Sequence, residues 1–279
     1  MIRDIRYLAS LSEPGLDLYR TLRRPLAHRE QGLFVAEGNK VVCRLLESTL
    51  QTLSILLTPD WFNLLRTIIE NRPESIDLFI AEKPLLESIV GIECHQGVMA
   101  VAKVPPELTI DAIAAASPGP RLFVAVDHLT SAENSGVLVR NCAACGAQAL
   151  IAGETSADPW LRRSVRNSMG TIFRLPILYS EKLSATLGRL RRDFGFRIVA
   201  AHPRPDSITL SDADFRRDCC IVFGNEGEGV SDTVLQECDT AVAIPMASGI
   251  DSFNVSCAGA VVMYEAMRQR RKSNGEVIE

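Results

Sequence analysis

The chain reads as an α/β protein made of two successive units. Three observations predict this. Short, continuous apolar runs recur at 122–126, 149–152 and 220–223, as expected of strands covered on both faces. Helical patterns alternate with these runs, the order that gives a layered α/β architecture. A stiff break at Val104-Pro105-Pro106-Glu107 divides the alternation, because proline denies the backbone both a ladder donor and a continuing helix.

In the first unit, 1–104, a basic helix over 19–28 leads to a strand at 33–36. Glu37-Gly38 and a helix over 39–48 follow. The unit continues through a buried strand (53–57), a helix (61–70), a strand (77–81) and a helix (84–88), and closes on the apolar segment 97–102. In the second unit, 108–279, a short helix (108–116) and Pro118-Gly119-Pro120 precede a strand at 122–126. Then come a helix over 134–145, a strand at 149–152 and helices over 159–169 and 181–193. Strands at 197–201, 220–223 and 241–244 and a last helix over 254–270 complete it. Patterning alone carries the second unit as far as a Rossmann-like, doubly wound parallel sheet.

With 47% hydrophobic and 23% charged residues the composition is that of an ordinary globular protein. No apolar run approaches the roughly 18 residues a membrane helix requires. The first fifteen residues lack the apolar core of a signal peptide, so the expected location is the cytoplasm. Eight cysteines in a chain of this length do not make a disulfide scaffold. Cys142-x-x-Cys145 falls in an alanine-rich helical pattern. It reads either as redox or metal chemistry or as small residues packing a helix on a sheet. No second CxxC or paired histidine follows, so no metal is expected.

A net charge of −4 excludes a protein coated in positive charge but leaves room for local basic patches. Three qualify: Arg20, Arg23, Arg24, His28 and Arg29; Arg162, Arg163, Arg166 and Arg174; and Arg268, Arg270, Arg271 and Lys272. Each is either a solvated helix face or a site for phosphate.

Three blocks sit where strands meet helices, the edge of an open α/β sheet at which ligands bind. Asn134-x-Gly136-x-x-x-Arg140 lies near a helix start, with Arg140 less than two turns beyond Asn134. Phe223-Gly224-Asn225-Glu226-Gly227-Glu228-Gly229 is a loop whose glycines let backbone approach a ligand. It is neither a P-loop nor G-x-G-x-x-G at a first turn, which weighs against ATP and NAD. Ile244-Pro245-Met246 leads through small residues to Ser252-Phe253-Asn254 and the last helix, where Ser or Asn can cap the helix or its N-terminus can hold a polar group.

Together these blocks resemble the three motifs of the SpoU (TrmH-like) RNA ribose 2′-O-methyltransferases. The resemblance spans about the last 160 residues. It implies a SPOUT fold, a parallel sheet closed by a C-terminal trefoil knot, although knots are nearly absent among folds. It also implies an S-adenosylmethionine pocket with Phe223, Gly224, Asn225 and Gly227 on one wall and Ile244, Met246, Phe253 and Asn254 on the other. Arg140, Asn134, Glu226, Ser252 and Asn254 become the expected catalytic set, with Glu226 bonding to backbone or to Arg140. Phe253 stands where the family commonly has Leu, Asp251 where it has Glu, and Thr171 where it has Ala. Arg166-x-Ser168 matches a further family segment and is expected on RNA phosphate, or else to end a helix at Gly170.

More loosely, Glu37-Gly38 and His95-Gln96-Gly97-Val98 resemble the L30e-like substrate domain many such enzymes carry in front. Arg23, Arg24 and Arg29 are its expected RNA contacts. The implied function is 2′-O-methylation of ribosomal or transfer RNA by a homodimer joined through the knotted domain. The alternatives are a knotted RNA-binding or ribosome-assembly factor without activity and, against the missing nucleotide fingerprint, a dehydrogenase.

Overall fold

The structure, a computed structural model, describes residues 2–10, 13, 15–21, 28, 30–90, 96–204, 206–250 and 252–273. Backbone contacts divide it into two units. The first holds 1–106 and 160–173, the second 107–159 and 174–279.

The first unit runs β1 (Ile2–Tyr7), α1 (Asp17–Arg20), β2 (Leu33–Glu37), α2 (Asn39–Glu47), β3 (Thr52–Leu57), α3 (Pro59–Glu70), β4 (Ile76–Ile80), α4 (Lys83–Val90) and β5 (Val98–Lys103). Its strands form one sheet in the order β1-β4-β3-β5-β2. β1, β4 and β3 are parallel, and β5 runs antiparallel to both β3 and β2. Leu56, Phe79, Met99 and Val101 bury one face against Leu86 and Ile89 of α4. Each such side chain contributes about 1.5–3 kcal/mol by leaving water. Tyr19 is fully buried and bonds its hydroxyl to Ser54 Oγ at 2.9 Å.

The second unit runs α5 (Ile110–Ala116), β6 (Leu122–Val126), α6 (Ala132–Ala144) and β7 (Ala149–Ala152). After α7 (Arg162–Asn167), which belongs with the first unit, come β8 (Ile177–Tyr179), α8 (Leu183–Phe194), β9 (Arg197–Ala201), β10 (Ile208–Thr209), β11 (Cys219–Phe223), α9 (Asp232–Leu235), β12 (Thr240–Ala243) and α10 (Val255–Ser273). Its sheet order is β10-β12-β9-β11-β6-β7-β8, with every pairing parallel. The chain winds outward from β6 through β7 and β8, then returns to build the other half. Phe123, Ile198, Cys220 and Val222 bury one face against Leu183, Leu187 and Leu190 of α8.

Two differences from the patterned reading bear on function. The helix expected over 159–169 is only α7, because Met169 (φ 55°) and Gly170 (φ 79°) turn left-handed and end it. Residues 160–173 cluster with the first unit. Trp160 and Phe173 lie 4.7 and 5.6 Å from the Phe34 ring, and Arg162 and Arg166 both grip the buried Glu37 carboxylate. The strands β1, β8 and β10 are not evident in the sequence, being short or exposed along one side. Among the described residues no helix is long and apolar enough to cross a membrane.

Candidate active site

The loop after β11 is built around its glycines and one asparagine. Gly224 is buried, and a Cβ there would stand 2.0 Å from the Gly229 carbonyl carbon, so no larger residue fits. Asn225 exchanges backbone hydrogen bonds with Gly229 at 2.9 and 3.0 Å. Its Oδ1 accepts from the Gly227 and Glu228 amides, and its Nδ2 donates to the His128 carbonyl at 2.9 Å. Asp127, buried at the end of β6, accepts the Ser231 amide at 2.8 Å. The Asn225 side chain is therefore committed to shaping the loop.

That loop forms one wall of a cleft of about 320 Å³ at the carboxyl ends of β9, β11 and β12. Of the expected cofactor residues, Phe223, Gly224, Asn225, Gly227, Ile244, Met246 and Phe253 all line it, and so do Ser252 and Glu226. Sequence reasoning missed the end of β9, where Ala201, His202 and Pro203 supply a further wall. It also missed α10, which turns Val255, Ala258 and Val262 inward. The position of His202 just past a strand in a parallel sheet was the available signal.

A chain of side-chain hydrogen bonds joins all three motifs. Asn134 Nδ2 donates to Glu226 Oε1 at 2.9 Å, and Asn254 Nδ2 donates to Asn134 Oδ1 at 3.1 Å. Asn254 Oδ1 in turn accepts from the Ser256 amide and hydroxyl at 2.9 and 2.6 Å, capping α10. The Asn254 side chain thus faces Asn134 and the helix end and is not part of the cleft lining. Asn134 is the third residue of α6, with Ser131 accepting its amide as N-cap. α6 is held against α10 by Asn141 Nδ2 on the Ser256 carbonyl (2.8 Å). At Gly259 a Cβ would meet Leu138 Cδ2 at 2.3 Å.

Glu226 takes Asn134, not Arg140. Arg140 is exposed, about 9 Å along the helix axis from Asn134 by helical rise, and makes no ion pair or hydrogen bond among the described residues. A guanidinium left in this state is available to an incoming anion.

Two expected RNA contacts do not present themselves to solvent as expected. Ser168 is fully buried, donates to the Val165 carbonyl at 2.7 Å and accepts the Gly170 amide at 3.1 Å, so its hydroxyl serves its own turn. Arg166 spends its charge on Glu37 at 3.0 Å, although half its side chain stays exposed. In the first basic cluster His28 points inward to the Leu18 carbonyl at 2.9 Å, and burial lowers its pKa. Arg23, Arg24 and Arg29, with Asp251 and His95, lie outside the described residues. In the third cluster Arg270 clamps the Pro120, Arg121 and Arg217 carbonyls. Cys142 is buried, and burial pushes its thiol up, away from the thiolate that redox chemistry and metal binding use.

The model of the SpoU rRNA Methylase family matches residues 121–264, which contain the whole Asn134–Glu226–Asn254 chain. The chain belongs to this family. Among SpoU relatives, an uncharacterised tRNA/rRNA methyltransferase of Mycobacterium tuberculosis is 29% identical over 95% of this chain and 92% of its own length. The 23S rRNA (guanosine-2'-O-)-methyltransferase RlmB of Ralstonia nicotianae is 32% identical over 68% of this chain and 76% of its own. The SpoU methyltransferase AviRb of Streptomyces viridochromogenes, solved in complex with the cofactor AdoMet, superposes with a TM-score of 0.80. It is 25% identical, over 93% of this chain and all of that one.

Proposed function

We propose that the protein transfers a methyl group from S-adenosylmethionine to a ribose 2′-hydroxyl of ribosomal RNA, in the cytoplasm. The observation that carries this is the Asn134-centred chain, which joins the three SpoU motifs beside the cleft. The 2′-O-methyltransferase RlmB among the relatives favours the ribose and 23S rRNA as target.

The residues present fit the cofactor. Ile244, Met246 and Val262 offer apolar surface for an adenine, and Glu226 and Glu228 bring negative charge suited to a sulfonium and an ammonium. Gly224 and Gly229 leave backbone where a side chain would obstruct. When bound, the cofactor supplies a methyl group already activated on a positive sulfur. A guanidinium has no lone pair to take a proton, so the role of Arg140 is to stabilise negative charge developing on the ribose oxygen or to hold the adjacent phosphate. Asn134 fixes Glu226 and the start of α10, which keeps the cleft and the RNA-facing helix α6 in register. Ser252, exposed on the cleft rim, is suited to binding one of the two substrates.

The first unit is proposed to be an L30e-like RNA-docking domain, and the second a knotted SPOUT domain that dimerises through its last helix. Supporting the dimer, Val261 and Tyr264 of α10 are 39% and 49% exposed and do not line the cleft. Two measurements test the function: calorimetric titration of the purified protein with S-adenosylmethionine, and mapping of 2′-O-methyl groups in total RNA from a strain lacking the gene. Loss of one ribosomal methyl group is expected. Loss of a transfer-RNA methyl would move the substrate, and loss of none would leave an RNA-binding factor.

A further inference from the structure

The cleft carries an imbalance of charge that its motifs do not explain. S-adenosylmethionine brings two positive groups and one carboxylate. Glu226 and Glu228 suit the former. Among the described residues lining the cleft, His202 is the one side chain that can offer a ring N–H or a positive charge to the latter. No lysine or arginine lines it.

His202, just past the end of β9, is held through both its backbone and its ring. Its amide donates to the Val242 carbonyl at 3.1 Å, and its carbonyl accepts from Ser207 Oγ at 2.8 Å. Its ring lies against Gly229, where a Cβ would fall 2.6 Å from Nδ1 and where φ is +75°. Glycine is thus required there on both counts. Nδ1 accepts the Val230 amide at 3.3 Å. A ring nitrogen that accepts carries no proton, so the neutral imidazole keeps its proton on Nε2. Nε2 has no partner among the described residues, while the ring borders the cleft.

Building on the cofactor reading above, we infer that His202 is the carboxylate-binding residue of the cleft: its Nε2–H donates to the carboxylate of the methionyl group, while Nδ1 anchors the glycine loop through Val230. One ring thereby couples the closure of the loop to recognition of the amino-acid end of the cofactor. A hydrogen bond to a carboxylate is charge-assisted and stronger than a neutral one.

The test compares S-adenosylmethionine with its decarboxylated analogue by calorimetry on the full-length protein. His202→Asn places an amide oxygen near the position of Nδ1, so it keeps the Val230 bond and removes only the Nε2 donor. His202→Gln places an amide near Nε2 and removes the anchor. Wild type should bind S-adenosylmethionine about ten-fold or more tightly than the decarboxylated ligand, from the strength of a hydrogen bond to a charged group. His202→Asn should abolish that preference by weakening only the carboxylated ligand, and His202→Gln should retain part of it. Equal weakening of both ligands by His202→Asn would reduce His202 to loop support and overturn the inference. So would an unchanged preference. If wild type binds neither ligand, the cofactor reading itself fails.

Discussion

The side-chain amide of Asn134 donates to Glu226 Oε1 at 2.9 Å across 92 positions of sequence. Because Asn134 also accepts from Asn254 at 3.1 Å, one residue fixes the loop after β11, the start of α6 and the start of α10. Asn134→Ala removes both bonds and leaves Glu226 without its partner. Methyl transfer in single-turnover assays should fall by about ten- to hundred-fold, the range for hydrogen bonds to a charged group. Cofactor affinity should change much less, since the Asn134 side chain does not line the cleft. Asn134→Asp should be worse than Ala, because it sets a second carboxylate against Glu226.

Arg140→Ala should abolish transfer while leaving affinity for S-adenosylmethionine near that of wild type. Arg140 lies outside the cleft lining and makes no internal ion pair or hydrogen bond among the described residues, so its loss breaks no polar contact there. Parallel binding and turnover measurements check this. A matching loss of cofactor affinity would place the guanidinium in the cofactor site instead.

Gly224→Ala should damage the cleft and not merely slow it. The new Cβ would lie 2.0 and 2.2 Å from backbone atoms of Gly229 and Val230, and backbone cannot step aside as a side-chain tip can. Binding of S-adenosylmethionine should be lost, and the melting temperature should drop. Gly146→Ala is the control. No atom lies within 4 Å of its Cβ position, so only the strain of a φ of +76° remains and the cleft should be spared.

Acid should weaken the first unit through Glu74. This carboxylate is largely buried; burial pushes its pKa up, but hydrogen bonds from Arg72 and the Thr52 amide outweigh that and hold it below the ordinary value. Arg72 meanwhile grips the carbonyls of Leu46, Ser48 and Leu50, tying the end of α2 to β3. A depressed carboxyl pKa stabilises the fold above the unfolded value of about 4.3, and this contribution disappears as pH falls through the folded value. Glu74→Gln should therefore be less stable than wild type at pH 7, with the gap narrowing toward pH 3 in denaturant titrations.

Much of this was legible in the sequence, and the division has a physical cause. Strands such as Leu122–Val126 and Cys219–Phe223 announce themselves because both faces are buried. Gly224 and Asn225 were visible because tight loops restrict residue choice. Pairings between distant positions were not. Glu37 gave no sign that it would bind Arg162 and Arg166, some 125 positions on, and so the basic cluster at 162–166 resembled a free phosphate site. Ser168 matched a family segment, yet its hydroxyl is consumed two residues away by the turn that ends α7. His202 escaped notice because its place just past a strand was the one signal in Ala201-His202-Pro203, and its contact with Gly229, 27 positions on, exists only in the fold.

The central claim is most directly tested by supplying the purified protein with methyl-labelled S-adenosylmethionine and ribosomal RNA from a strain lacking the gene, then digesting to nucleosides and identifying the product by mass spectrometry. Label is predicted on the ribose 2′-oxygen of a single nucleotide, absent with Arg140→Ala. Label on a base, or cofactor binding with no transfer to any RNA, would contradict it.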